Sequence, residues 1–311
     1  MSQVIIGAGM AGLLAARMLQ RHRPVIYESQ PSLPNNHSAV LRFSSNKVSE
    51  VLGIPFKKVA LIKTVVPWCN PVADAMAYSR KVLGEYRSDR SVLLTERWTS
   101  SERWIAPENL IEQMADGVDI EYGVAYDFPA STHKVISTIP MPVLAKKLGH
   151  PDLGWHWVGG MNITARLKST EAYVSVMVPD PRVAFYRASI TGDLLIIEFT
   201  GDGSARAGAD PESQIVEACL FLGITRDVFY DIKVSGQRYA KIAPIDEDDR
   251  KNFIYWASVE LGRCYQLGRY ATWRPRLLLD DLVKDVRLIE GWMTSKSSTY
   301  TLHLQHTARS T

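Results

Sequence analysis

Hydrophobic and polar positions follow a regular order over the first thirty residues of the chain. An apolar run at Val4–Ile6 leads into a glycine-rich turn, and residues 13–19 are then rich in apolar side chains. A second apolar run, Val25–Glu28, ends on an acidic residue. Short apolar runs separated by a helical segment are typical of a strand-helix-strand unit in a parallel sheet. The pattern predicts such a unit here.

Apolar runs and turn residues predict further elements downstream. From residue 155 the chain changes to alternating strands, and Pro179-Asp180-Pro181 and Gly192-Asp193 separate three of them, which predicts an antiparallel meander. Asp210 and Pro211 are typical of a helix start. The predicted helices cover residues 108–116, 143–148, 211–222 and 279–290, and the predicted strands cover residues 37–43, 118–124, 134–140, 172–178, 184–190, 194–200 and 264–270.

The turn after the first strand has the spacing G-x-G-x-x-G. Gly7 allows a tight turn, Gly9 lets the backbone approach a pyrophosphate, and Gly12 lets the helix pack closely on the sheet. The first helical residues, Met10 and Ala11, then offer free N–H groups and positive dipole density to phosphates.

The acidic residue that ends the second strand completes this motif. Glu28 follows Gly12 by 16 residues, where a carboxylate can accept hydrogen bonds from the adenosine ribose hydroxyls. A glycine-rich loop alone is weak evidence, but here strand, turn, helix, strand and acid occur in order. The sequence therefore predicts a site for FAD or NAD(P).

Composition narrows the class of protein. The 311 residues include 46% hydrophobic and 22% charged residues, which is ordinary for a globular enzyme, and the net charge of +3 does not by itself indicate a nucleic-acid binder. Cys69, Cys219 and Cys264 are widely spaced, so we expect neither a disulfide framework nor a metal site. The apolar stretch 4–16 lacks a basic leader region and is too short to span a bilayer, so we expect a cytoplasmic protein.

Positive charge is concentrated in one part of the chain. Nine Lys or Arg residues stand against five acids over residues 57–103, with tyrosine and tryptophan between them. A solvated helical surface accounts for this excess. A face for an anionic substrate, including DNA, is the alternative, and both interpretations stay open.

The C-terminal part of the sequence points to a particular superfamily. A predicted strand ends in Gly268-Arg269, and the helix that follows carries Asp280 and Asp281 in its first turn. This arrangement resembles the closing motif of the FAD-dependent amine oxidase, protoporphyrinogen oxidase and UDP-galactopyranose mutase superfamily. The segment 135–142 resembles the strand that returns to the nucleotide domain. The resemblance favours FAD over NAD(P) as the cofactor.

The resemblance implies further site residues. Val124 matches the position whose backbone meets the adenine, and the closing helix would direct its N–H groups at the flavin. The family's Arg-x-x-Gly-Gly segment is absent, and Arg42 is the nearest candidate to replace it. The aromatic pair that encloses amines in amine oxidases is not evident, although Tyr270 and Trp273 are candidates.

The resemblance also implies a fold class and a division into domains. We expect an α/β fold with a Rossmann-like FAD-binding domain of the GR2 type. A smaller, discontinuous α+β substrate domain with an antiparallel sheet accompanies it. The FAD-binding domain is expected over residues 1–60, 105–150 and 250–293, the substrate domain over 61–104 and 151–249, and a tail over 294–311.

Three hypotheses for the reaction follow. The first is oxidation of a C–N or C–H bond of an amine or amino-acid group, with hydride passing to flavin N5. The second is a mutase-like, non-redox reaction on a sugar nucleotide, in which Arg187 binds the substrate phosphate. The third hypothesis is removal of an aminoacyl group from modified thymine in DNA. It rests on a resemblance of residues 37–43 and 105–107 to small bacteriophage-encoded members of the superfamily, which act in the host cytoplasm.

Overall fold

The computed structural model describes residues 3–33, 41–84, 98–126, 134–168, 170–201, 210–261, 264–275 and 277–294. Within them the chain forms two sheets, each with its own apolar core. The predicted segment 37–43 lies largely outside these residues, and so does almost all of the predicted tail. No helix among the described residues is both long and apolar enough to cross a membrane.

The first sheet contains five parallel strands in the order β13-β7-β1-β2-β6. It therefore forms the predicted Rossmann-like layer, with the predicted first strand at its centre. The strands are β1 (Val4–Ile6), β2 (Val25–Glu28), β6 (Asp119–Tyr122), β7 (Val135–Ser137) and β13 (Cys264–Gln266).

Helices cover this sheet because their apolar faces pack on its buried strands. Leu13 and Leu14 are fully buried against Ile5 and Ile26, and residues of the last helix complete the same core. The helices in the first part of the chain and at its end are α1 (Met10–Met18), α2 (Lys47–Leu52), α4 (Leu110–Ala115), α5 (Met141–Lys147) and α8 (Leu279–Thr294), with α3 (Pro71–Leu83) lying on the second sheet.

The second sheet contains eight strands in the order β12-β8-β11-β10-β9-β4-β5-β3. Neighbouring strands are antiparallel except β4 and β9, which are parallel. The strands are β3 (Arg42–Phe43), β4 (Lys57–Val65), β5 (Trp98–Ile105), β8 (Trp157–Leu167), β9 (Ala172–Met177), β10 (Arg187–Gly192), β11 (Leu194–Thr200) and β12 (Phe229–Ile242).

The two faces of the second sheet differ in polarity. One face carries buried apolar side chains such as Ile163 and Ile197, which pack with Ile215 and Ala218 of α6 (Pro211–Leu222). The opposite face carries serine, asparagine and charged residues. A sheet with a covered apolar face and a polar face is typical of an antiparallel layer that borders a site.

Several predicted elements are confirmed. Strands β9, β10 and β11 form the meander, and Asp210 begins α6 by accepting a hydrogen bond from the Ser213 N–H at 3.1 Å.

Other elements were not predicted from the sequence. The basic stretch, residues 57–103, had no predicted elements, but it forms β4, α3 and β5. The predicted domain boundary after residue 60 falls inside β4, which pairs only in the second sheet. The helix α7 (Glu247–Glu260) was also not predicted.

Candidate cofactor and substrate site

The three glycines of the first turn occupy three different environments. Gly7 has φ of +96°, and a Cβ there would lie 2.3 Å from Thr138 Oγ1. A Cβ on Gly12 would lie 2.0 Å from the Gly7 carbonyl oxygen. A Cβ on Gly9 would meet nothing within 4 Å. The backbone requires Gly7 and Gly12 for its own packing, whereas Gly9 faces open space.

The start of α1 has open hydrogen-bond donors. Gly9 is its N-cap and provides no side-chain hydrogen bond to the helix. The first N–H groups of a helix have no acceptor within the helix, so those of Met10 and Ala11 remain available beside the open space at Gly9. This geometry is that of a phosphate site at a helix N-terminus.

Glu28 lies beside this turn. Its carboxylate accepts the Ala8 N–H at 2.7 Å and the Gln30 N–H at 2.8 Å, and its side chain is buried. Val124 adjoins it, since its N–H donates to the Glu28 carbonyl oxygen at 3.0 Å. Both residues predicted for the adenosine half of the cofactor therefore lie at one edge of the first sheet.

The closing segment also reaches α1. Gly268 has φ of +104°, and a Cβ there would lie 3.0 Å from the Ala11 side chain. The next residue, Arg269, donates from its Nε to the Pro275 carbonyl oxygen at 2.8 Å, and Nη2 contacts the same oxygen. Residues 268 and 11, far apart in sequence, are thus direct neighbours in the fold.

The two acidic residues in the first turn of the closing helix contact protein rather than open space. Asp280 accepts hydrogen bonds from the N–H and Oγ groups of both Ser44 and Ser45, at 2.7–3.2 Å. Asp281 accepts the Leu278 N–H at 2.9 Å. Asp280 therefore fixes the segment after β3 to the first turn of α8, so it anchors the neighbourhood of Arg42.

Tyr270 and Trp273, the candidates for an amine cage, lie in an aromatic cluster. Trp273 is 1% exposed and donates its indole N–H to the Ala243 carbonyl oxygen at 2.8 Å. Tyr270 donates its hydroxyl to the Tyr239 carbonyl oxygen at 3.2 Å, and both rings contact Trp157. The structure thus gives Trp273 a packing role, and Tyr270 is partly exposed at the edge of the same cluster.

Arg187 pairs with a carboxylate on the polar face of the second sheet. Its Nη2 donates to Glu198 Oε1 at 2.6 Å, and its Nε contacts Glu198 Oε2. The Tyr186 hydroxyl donates to Glu198 Oε1 at 2.8 Å. Burial opposes ionisation of Glu198, but Arg187 and Lys241 together hold its pKa at about 2. Glu198 is an anion that fixes the orientation of Arg187.

Other cations share this face. In the strand register, Lys63 lies opposite Ser175, and Ser175 lies opposite Ser189. Side chains two residues apart on a strand share a face, so Lys63 lies on the same face as Arg187. Arg42, at the edge strand β3, is four strands from Arg187, about 19 Å on a flat sheet. The charge of Arg187 nevertheless lowers the pKa of Arg42, which indicates that the sheet curls and brings the two side chains closer together. We call this group the cationic cluster: Arg42, Lys63, Arg103, Arg187, Lys241 and Arg269.

Burial and mutual repulsion lower the pKa values of Arg42, Lys63 and Lys241. Burial acts in the same direction on Arg187, but Glu198 and Tyr186 outweigh it and raise the pKa of Arg187. Burial, with the charges of Arg103, Arg42 and Arg187, lowers the pKa of Lys63 to about 8. Burial, with Arg187 and Arg269, lowers the pKa of Lys241 to about 8 against the opposing effect of Glu198. Burial is also the main cause that lowers the pKa of Arg42 to about 10. The cluster therefore has more positive charge than its surroundings neutralise.

Other lysines of the basic stretch make contacts outside the cationic cluster. Lys57 pairs with Glu171 at 2.6 Å, and Lys58 pairs with Glu102 at 2.6 Å. Lys81 donates to the Val178 and Asp180 carbonyl oxygens. Lys63 and Arg103 belong to the cationic cluster, while Arg87, Arg90, Arg97 and Tyr86 lie outside the described residues.

The structure thus combines a parallel sheet that carries an N-terminal glycine turn with a second sheet that has a polar face. The structure is similar to that of reduced UDP-galactopyranose mutase, with 13% identity and a TM-score of 0.69, and the match covers 99% of each chain.

The match to a redesigned putrescine oxidase has 9% identity and a TM-score of 0.58 and covers 94% of this chain and 99% of that one. The match to L-proline dehydrogenase from P. horikoshii has 11% identity and a TM-score of 0.56, with 94% and 93% covered. No family model matches the sequence, and neither does any curated protein. These matches confirm the predicted fold class, and the bacteriophage origin stays a prediction.

Proposed function

We propose that the protein is an FAD-binding enzyme. The observation that supports this most directly is the contrast between Gly9 and its two neighbouring glycines. Packing within the protein accounts for Gly7 and Gly12, but no described residue fills the open space at Gly9 beside the uncapped start of α1. A pyrophosphate fits that space and those donors.

The chain offers partners for the pyrophosphate and the adenosine ribose of the cofactor. The turn and the N-terminus of α1 would hold the pyrophosphate, and Gly268 and Arg269 would border it. An ionised carboxylate has about four lone-pair sites. Glu28 uses two for backbone N–H groups and one for the Ser29 hydroxyl at 3.3 Å, so it retains capacity for a ribose hydroxyl. Bound FAD supplies reversible electron and hydride chemistry.

The cationic cluster supports an anionic substrate. It gathers six cationic side chains around one described carboxylate, Glu198, next to the closing segment. Like charges held together away from water are costly unless an opposite charge joins them. A polyamine would add positive charge. The cluster therefore favours a phosphate or carboxylate group over a simple amine.

Among anionic substrates we favour one that contains phosphate. Guanidinium groups match the oxygens of phosphate in paired hydrogen bonds, and Arg187 is oriented by Glu198. A mutase-like reaction on a sugar nucleotide fits this site and the fold shared with UDP-galactopyranose mutase over 99% of each chain. A second candidate is oxidation at a C–N or C–H bond of an aminoacyl group on thymine in DNA, because phosphodiesters would suit the same cations.

A substrate panel tests this proposal. Purified holoenzyme is titrated anaerobically with putrescine, free amino acids, UDP-sugars and oligonucleotides that contain aminoacylated thymine. Dithionite-reduced holoenzyme is incubated with UDP-galactopyranose. We expect phosphate-containing ligands to perturb the flavin spectrum and putrescine to leave it unchanged. Bleaching by putrescine, with no response to any phosphate-containing ligand, would overturn the anionic substrate.

A pair of variants tests the cofactor site. Gly9→Val places a branched side chain in the open space, so the protein should purify without flavin. Gly236→Val is the matched control, because Gly236 also has open space around it and an ordinary φ but lies in the second sheet. It should retain flavin. A colourless wild-type protein that takes up NADP but not FAD would refute the assignment.

A further inference from the structure

Three members of the cationic cluster lie at one edge of the second sheet. Arg42 is opposite Ile105 in register, and Ile105 is two residues from Arg103 on β5, so both arginines share the polar face. Lys63 on the neighbouring strand β4 lies on the same face, since Val59 is opposite Arg103. We call Arg42, Lys63 and Arg103 the edge trio.

Within the part of the chain that the structure describes, the edge trio has no carboxylate of its own. The one described acidic side chain that acts on Arg42 is Glu198, and this carboxylate already accepts hydrogen bonds from Arg187 and Tyr186. Among the described residues, Lys63 has no hydrogen-bond partner, and Arg103 donates only to the Glu102 carbonyl oxygen at 2.6 Å. The other end of the cluster, around Arg187, is partly neutralised, whereas this end is not.

Two buried polar atoms beside the edge trio lack partners. Arg42 Nη1 is buried and donates to no described residue. Ser101 Oγ, two residues from Arg103 and on the same face, is also buried without a partner. A buried donor left unpaired costs free energy, so such groups are commonly completed by a ligand or water. Their position indicates a ligand that accepts several hydrogen bonds.

We propose that the edge trio is a phosphate-binding subsite separate from Arg187. This subsite contacts a second anionic group of the substrate. The proposal rests on the proposed function, because it assigns part of the same site. Phosphate oxygens accept several hydrogen bonds and carry the charge that the edge trio lacks. The phosphate could come from a nucleoside diphosphate or from the phosphodiester backbone of DNA, and the ligands below distinguish these sources.

The test compares two lysines on one strand. Lys63→Met removes one of the three positive charges of the edge trio and keeps nearly the same side-chain length. Lys58→Met is the matched control, since Lys58 is on the opposite face of β4, 55% exposed and paired with Glu102. Binding of UDP and of single-stranded oligothymidylate to the holoenzyme is measured at several salt concentrations. Arg103→Gln serves as the second variant.

We expect Lys63→Met and Arg103→Gln to weaken binding of at least one ligand by roughly tenfold or more, with flavin content unchanged. If the source is DNA, the oligothymidylate is affected and the salt slope falls by about 1; if the source is a nucleotide, UDP is affected. Phosphate ligands that bind the wild type and both edge variants equally would overturn the subsite alone. Failure of the wild type to bind either ligand would overturn the proposed anionic substrate as well.

Discussion

The strongest test of the glycine turn distinguishes Gly12, which the packing of the fold requires, from Gly9, which we assign to the cofactor. Gly12→Ala and Gly9→Ala make the same chemical change three residues apart. The alanine Cβ at position 12 would lie 2.0 Å from the Gly7 carbonyl oxygen, while the Cβ at position 9 would meet nothing within 4 Å. The first variant should therefore destabilise the fold, and the second should not.

The size of the effect follows from that distance. Ordinary contact for a Cβ begins near 3.4 Å, so α1 or the turn must move by more than an ångström. The helix packs on both β1 and α8, so the movement disturbs the core of the first sheet. Overpacking of this kind costs about 1–3 kcal/mol or more, or roughly 2–4 °C in Tm per kcal/mol for a chain of comparable size. For Gly9→Ala we expect a change within about 0.5 kcal/mol.

The assay uses flavin-free protein, so that cofactor binding does not contribute. Urea midpoints from circular dichroism and Tm values from differential scanning fluorimetry are compared for both variants and the wild type. The explanation fails if Gly12→Ala is as stable as the wild type, or if Gly9→Ala loses as much stability as Gly12→Ala. Flavin content after reconstitution then reports on position 9 separately.

Three more predictions concern the charges of the site. Arg269→Ala should weaken FAD retention, by about 2–4 kcal/mol if the group is desolvated at the cofactor; unchanged flavin content on equilibrium dialysis would refute this role. Glu198 has a folded pKa of about 2 against 4.5 unfolded, so it stabilises the fold above pH 4.5, and about 3 kcal/mol is lost as pH falls towards 2; Glu198→Gln should flatten urea midpoints measured across that range. Lys63 and Lys241 are charged only below about pH 8, so UDP affinity measured by calorimetry should fall between pH 7 and 9.

The glycine turn could be predicted from sequence because its elements are local. Strand, turn, helix and acid occur within 28 residues, and each has a known geometric requirement. The meander and the Asp210 cap are local in the same way. The additional hydrogen bonds of Glu28 to Ala8 and Gln30 could not be predicted, since they depend on the packing of the folded turn.

The cationic cluster could not be predicted because strand register determines its members. In the sequence Lys57, Lys58 and Lys63 are equally basic. In the fold, Lys57 and Lys58 form exposed ion pairs, while Lys63 joins side chains from strands far along the chain. A shift of one residue in β4 would exchange the faces of Lys58 and Lys63, and no local pattern in a basic segment specifies that register.

The short segment from β13 to Trp273 connects the two halves of the candidate site. Its Gly268 touches Ala11 at the start of α1, and the charge of the adjacent Arg269 acts on Lys241 in the cationic cluster. Trp273, buried and bonded to Ala243 next to β12, fixes the far end of the segment to the second sheet. A displacement of this segment would therefore alter both the cofactor turn and the electrostatics of the substrate face. This link explains physically why the Gly-Arg motif and the N-terminal glycines occur together in one fold.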